Sequence, residues 1–172
     1  FLSYQSSVES ALKNAGRFLK EGRANAVKIE GATGHLDAIR HVVESGVPVM
    51  GHLGLTPQSI ETFGGHKVQG KSDDSSKKML DDAAKLEDSG CFAIVLECIP
   101  DALAARITAN LTIPTIGIGA GPFTNGQVLV FQDLLGMQKD FKPKFLRHYV
   151  SGECIITEAI NKFHKDVIQS NF

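Results

Sequence analysis

Four ionisable side chains stand in or at the ends of short apolar runs: Lys28 and Glu30 in Val-Lys-Ile-Glu, His52 in Val-Met-Gly-His-Leu, and Glu97 in Ile-Val-Leu-Glu. A charge in such a place costs free energy unless it has a partner or a task. Lys28 and Glu30 are two residues apart, so on a strand they share a face. In a parallel α/β sheet all strand carboxyl ends lie on one side, and side chains far apart in sequence converge there. The chemistry of the set is specific. A hard oxygen ligand such as Glu30 suits Mg2+, which takes few protein carboxylates and keeps waters or substrate oxygens. Lys28 and His52 beside it can hold an anionic substrate, and a partly desolvated carboxylate such as Glu97 has the character of a general base. Together they fit proton abstraction next to a carbonyl, with a metal stabilising the enolate. The plainer alternative is structural: a Lys28–Glu30 ion pair, Glu97 capping the following helix, and His52 satisfied within the core.

The elements that must position these groups alternate. Ser6 or Ser7 caps a helix that carries Val8, Ala11, Leu12, Ala15, Phe18 and Leu19 at helical spacing to about Lys20, with Gly22 closing it. A strand at 26–30 follows, then a helix at 35–44 with Leu36, Ile39, Val42 and Val43 on one face and Gly46 as its stop. The His52 strand occupies 48–53. A long loop then runs to about Asp74 through Thr62-Phe-Gly-Gly-His-Lys-Val-Gln-Gly70, a length that is usually functional or disordered. Next come a helix at 75–88, the Glu97 strand at 92–97, a helix at 102–109 capped by Asp101, and a strand at 115–118. A last strand is expected at 128–131, a polar irregular stretch at 139–144, and an amphipathic helix at about 153–168 with Ile156, Ala159, Ile160, Phe163 and Val167 on one stripe. Apolar strands alternating with helices indicate βαβ units and a parallel sheet, as doubly wound folds and (βα)8 barrels both require.

Several residues read as bystanders. The Gly117-Ile-Gly-Ala-Gly121 loop has the wrong spacing for a dinucleotide fingerprint and is read as close backbone packing rather than a phosphate cradle. His66 and Lys67 are read as solvated, Cys98 as core, and Met79 and the isolated phenylalanines as core filler. Composition bounds the rest. At 172 residues, 42% hydrophobic, 22% charged and net charge −1, the chain suits one soluble domain. Its Lys and Arg residues are scattered, which argues against a nucleic-acid or polybasic membrane surface. No apolar run approaches the roughly 18 residues of a membrane span. Three cysteines without a Cys-x-x-Cys pair favour a reducing compartment and no zinc site. The expected location is cytoplasmic, or mitochondrial should a transit peptide lie upstream of Phe1.

Five segments occur in order at family intervals: Val-Lys-Ile-Glu-Gly (27–31), Gly-His-Leu-Gly-Leu-Thr-Pro-Gln-Ser (51–59), Phe-Gly-Gly-His-Lys-Val-Gln-Gly (63–70), Val-Leu-Glu-Cys-Ile-Pro (95–100) and Ile-Gly-Ile-Gly-Ala-Gly (116–121). From Phe1 to roughly Tyr149 the chain resembles the 3-methyl-2-oxobutanoate (ketopantoate) hydroxymethyltransferase family. The resemblance implies a TIM (βα)8 barrel of the phosphoenolpyruvate-mutase type. It also implies hydroxymethyl transfer from 5,10-methylenetetrahydrofolate to 3-methyl-2-oxobutanoate, giving 2-dehydropantoate for pantothenate and coenzyme A. By the same resemblance Lys28 contacts the keto acid, Glu30 serves the Mg2+ shell, His52 lines the substrate pocket and Glu97 accepts the proton. A large homo-oligomer such as a decamer is implied as well. The family's two metal-binding aspartates, on earlier strands, have no counterpart here, and about five strands can be counted. The expectation is therefore one (βα)-barrel domain over 1–172, N-terminally incomplete, that is completed by a missing piece or does not catalyse. The rival readings are a folate-independent keto-acid lyase of the same barrel class and a non-catalytic truncated chain.

Overall fold

The computed structural model describes residues 1–138, 140 and 143–171. It comprises two compact units, Phe1–Val128 and Leu129–Phe172. The first carries α1 (Val8–Lys20), β1 (Val27–Glu30), α2 (Leu36–Glu44), β2 (Val49–Gly54), a 3-10 turn (Pro57–Ser59), α3 (Asp73–Asp88), β3 (Ala93–Glu97), α4 (Asp101–Asn110), β4 (Thr115–Ile118) and β5 (Gly126–Gln127).

All five strands are parallel, in the order β1-β2-β3-β4-β5. A doubly wound sheet must reverse its strand order to place helices on both faces. This order never reverses, and right-handed crossovers then place every helix on one face. Consecutive helices pack side by side, α1 on α2, α2 on α3 and α3 on α4. The result is an arc of a (βα) barrel. Alternation divides the strands cleanly. Ile29, Val49, Leu53, Ile94 and Leu96 join the core under the helices, together with Ile39, Val42, Leu86 and Ile107. The alternate residues Lys28, Glu30, Met50, His52, Val95 and Glu97 face the concave side.

Local signals explain the helix starts. The Ser7 hydroxyl accepts the Ser10 N–H at 3.0 Å and caps α1. α3 begins at Asp73, two residues earlier than its apolar spacing predicts, because Ser72 and Ser75 form a reciprocal capping box and Asp73 and Asp74 favour the first turn. In α4, Pro100 occupies the cap position with ψ 138°. Asp101, expected as the cap, is instead the first helical residue, and its Oδ1 accepts the Ala102 N–H at 2.8 Å.

Three further expectations are corrected. The last strand is not 128–131. The ladder takes only Gly126–Gln127, then one bond from Val128 N–H to the Gly117 carbonyl, and Val128 and Val130 are exposed. The Asn125 side chain sets that register, its Oδ1 accepting the Thr115 N–H at 2.9 Å and so taking the place of a strand carbonyl. The phenylalanines do not fill the core: Phe1, Phe18, Phe92, Phe123, Phe131, Phe145 and Phe163 are all exposed. On α1 the residues that press inward are the small Ala11 and Ala15, because close helix packing selects small side chains there. Cys98 is half-buried and lies outside the core cluster, with φ +48°. Met79 is buried, and His66 and Lys67 are exposed, as read from the sequence.

The second unit has a short helix, α5 (Phe131–Leu134), and the long α6 (Gly152–Gln169). Within it the Tyr149 N–H donates to the Leu134 carbonyl at 2.9 Å, and the Gly152 N–H to the Leu135 carbonyl at 2.8 Å. The predicted stripe of α6 is present, with Ile156, Ile160, Phe163 and Val167 exposed. The 139–144 stretch lies in part outside the described residues. Among those described, no helix is long and apolar enough to cross a membrane.

Candidate active site

Strand register brings the site together. Glu30 of β1 lies level with His52 of β2, and His52 lies level with Val95 of β3. Glu97 stands one layer higher, opposite Gly54, which has no side chain to separate it from His52. His52 is completely buried, with Nε2 3.1 Å from Glu97 Oε2 and Nδ1 4.0 Å from Glu30 Oε1. Neither ring nitrogen meets its acid along an aligned N–H direction, so these are close polar contacts rather than formed hydrogen bonds. The acids stay partly open, at 12% side-chain exposure for Glu30 and 22% for Glu97.

Glu30 is held from two more directions. Its Oε2 accepts the backbone N–H of Gln58 at 2.8 Å, and its backbone carbonyl accepts the Tyr4 hydroxyl at 3.0 Å. Burial, then the nearby Glu30 charge, holds the Tyr4 phenol above its ordinary pKa. Burial, then the Glu97 charge, raises the Cys98 thiol in the same way.

Of the four candidates, the fold therefore gathers Glu30, His52 and Glu97. Lys28 shares their face but sits one layer lower, level with Met50 and exposed, with no ion pair or hydrogen bond among the described residues. The structural alternative fails at each point. Lys28 does not pair with Glu30, Glu97 does not cap α4, and His52 is not a satisfied core histidine. Tyr4 and the Gln58 amide escaped the sequence reading. The amide carried a signal, since Pro57 opens the 3-10 turn and the first amides of a helical turn have no partner within it. Tyr4 carried none. The 117–121 loop is packed closely: a Cβ at Gly117 would stand 2.6 Å from Thr124 Oγ1.

Among the described residues, no group of three or more His, Cys, Asp or Glu side chains is arranged to hold a metal. The chain offers a hard cation one carboxylate, Glu30. That matches the small protein share that Mg2+ accepts when waters and substrate oxygens complete its shell.

Fold and site together define a barrel-type α/β protein with an acid–histidine–acid cluster at its strand carboxyl ends. The chain belongs to the ketopantoate hydroxymethyltransferase family, whose profile matches residues 1–172. It is 51% identical over its whole length to a 3-methyl-2-oxobutanoate hydroxymethyltransferase of Francisella tularensis subsp. tularensis (strain FSC 198), covering 65% of that protein. It is 52% identical to the protein of that name from Clostridium botulinum (strain Alaska E43 / Type E3), covering 62% of it. The chain thus spans 62–65% of the length of these curated relatives. Among solved structures, an isomerase from Streptomyces coelicolor A3(2) superposes on 63% of this chain and 27% of its own, with TM-score 0.43 and 21% identity, too loosely to carry an argument.

Proposed function

We propose that the polypeptide carrying this chain transfers a hydroxymethyl group from 5,10-methylenetetrahydrofolate to 3-methyl-2-oxobutanoate, giving 2-dehydropantoate for pantothenate synthesis. The observation that carries the reading is the Glu97–His52–Glu30 line at the strand ends. Glu97 removes the C3 proton of the keto acid, and the electron pair left on C3 forms the new bond to the donor's one-carbon unit. One water is consumed and tetrahydrofolate leaves. His52, 3.1 Å from Glu97, keeps that carboxylate aimed along the concave face. Lys28, one layer lower on that face, offers its cation to the substrate carboxylate. Glu30 is the residue that would hold Mg2+, which when bound would supply positive charge to stabilise the enolate.

Exchange of the keto-acid C3–H with solvent deuterium isolates the proton step, because it needs no donor. In the full-length polypeptide Glu97→Gln should slow this exchange, followed by NMR, by about 100-fold or more, the scale of a positioned general base. Exchange that persists at the parent rate removes Glu97 from that role.

A further inference from the structure

The backbone carbonyl of Glu30 turns away from the rest of the sheet. In and beside β1, the N–H groups of Val27 and Gly31 donate to the Pro48 and His52 carbonyls, at 3.0 and 2.9 Å. Residues 27 and 31 thus address β2, and the backbone groups of successive strand residues turn to opposite edges, so Glu30 addresses the other edge. β1 is the end of the sheet, and among the described residues no strand pairs with that edge. A backbone acceptor there needs a donor from elsewhere. The Tyr4 hydroxyl supplies it, donating to the Glu30 carbonyl at 3.0 Å. Tyr4 is itself held on two sides. Its ring stands edge-on to His35, with 5.2 Å between centroids and 82° between planes. The residue before it is tied to α1, where Asn14 Nδ2 donates to the Ser3 carbonyl at 2.7 Å.

We propose that Tyr4 is a positioning residue for Glu30, its hydroxyl standing in for a strand N–H and fixing the direction in which the Glu30 side chain leaves β1. Glu30 is then fastened at both ends. Its Oε2 accepts the Gln58 N–H at 2.8 Å, and the main chain behind it is held by Tyr4. Groups that orient a ligating carboxylate govern how well it holds a cation. The inference rests on the reading of Glu30 as the residue that holds Mg2+. It assigns Tyr4 to cation affinity and not to the proton step at Glu97.

Mn2+ binding to the polypeptide carrying this chain, followed by electron paramagnetic resonance of the free ion, tests it. Tyr4→Phe keeps the ring against His35 and removes only the hydroxyl. It should raise the Mn2+ Kd about three- to tenfold, the scale of one neutral hydrogen bond, while C3–H exchange at saturating Mg2+ stays within about twofold of the parent. Asn14→Ala frees the same segment from α1 and should raise the Kd by roughly twofold or more, so it decides the matter should Tyr4→Phe fail to fold. An unchanged Kd in folded Tyr4→Phe overturns the positioning role alone, as does exchange that stays slow however much Mg2+ is added. A parent that binds no Mn2+, or a Glu30→Gln variant that binds it as tightly as the parent, overturns the metal reading of Glu30 and the positioning role with it.

Discussion

Gly54 gives the site its clearest structural test. It closes β2 with φ +94°, and an added Cβ would collide with the backbone carbonyl oxygen of Glu97 and stand 2.8 Å from Ile99 Cγ2. That carbonyl is not free to retreat, because it accepts the Leu55 N–H at 2.8 Å. Gly54→Ala therefore carries two penalties. A positive φ costs an L-residue about 1–2 kcal/mol, and forcing a methyl group into close-packed structure costs about 1–3 kcal/mol more. Gly46 is the control: its φ is +89°, but an added Cβ would meet nothing within 4 Å, so Gly46→Ala carries only the first penalty. The two variants should differ by about 1–3 kcal/mol, or roughly 2–12 °C in Tm at about 2–4 °C per kcal/mol for a domain of this size. Calorimetric melting of both variants measures the difference. Only Gly54→Ala should also slow C3–H exchange, because the displaced backbone is that of Glu97. Equal Tm losses would refute the close-approach argument. A large loss with undiminished exchange would refute the claim that this contact positions the base.

The three cysteines give further tests. Cys98 holds φ +48°, fixed by its N–H on the Ile118 carbonyl and its carbonyl under the Gln69 N–H, both at 2.9 Å. A β-branched residue tolerates that region worst, so Cys98→Val should lower urea-unfolding stability by about 2 kcal/mol while Cys98→Gly stays within about 1 kcal/mol of the parent. Equal stabilities would show that the strain is not there. Burial pushes the Cys91 thiol up to about 11. The unfolded thiol gives up its proton at a lower pH, so this contribution is present below the unfolded pKa and is lost as pH rises through the folded one. Between pH 8 and 10.5 the parent should lose more Tm than Cys91→Ala, and parallel curves would contradict it. In native protein at pH 8, maleimide should label the exposed Cys154 and spare Cys91.

The barrel arc was legible because strands buried on both faces read as apolar runs, and because alternation decides which side each residue takes. Because all strand carboxyl ends of a parallel sheet lie on one side, Glu30, His52 and Glu97 converge there from three strands. Lys28 shows the limit of that reasoning. Sharing a face does not mean touching, since two residues along a strand span about 6.6 Å. The lysine is carried down a layer, away from Glu30's carboxylate. The phenylalanines were misread for a different reason: hydrophobicity states a preference for burial but not whether a neighbour exists. Phe18 is 60% exposed on α1, where Ala11 and Ala15 make the close approach. The 128–131 strand failed because one side chain, Asn125, takes over part of the ladder, and propensity has no means of registering such a substitution.

What no spacing could disclose is why position 52 is a histidine. Glu30 and Glu97 belong to β1 and β3, which are not neighbours, because β2 lies between them. Only a side chain from β2 can face both acids, and it must offer polar atoms at two ends while filling a site with no access to solvent. Imidazole meets these demands with one rigid ring, its nitrogens 4.0 Å from one acid and 3.1 Å from the other. An amide of similar reach presents both its polar atoms at the same end, and an aliphatic residue would face two acids with nothing to offer either. The constraint follows from strand order and register together: position 52 is the one place on β2 from which a single buried ring faces both carboxylates.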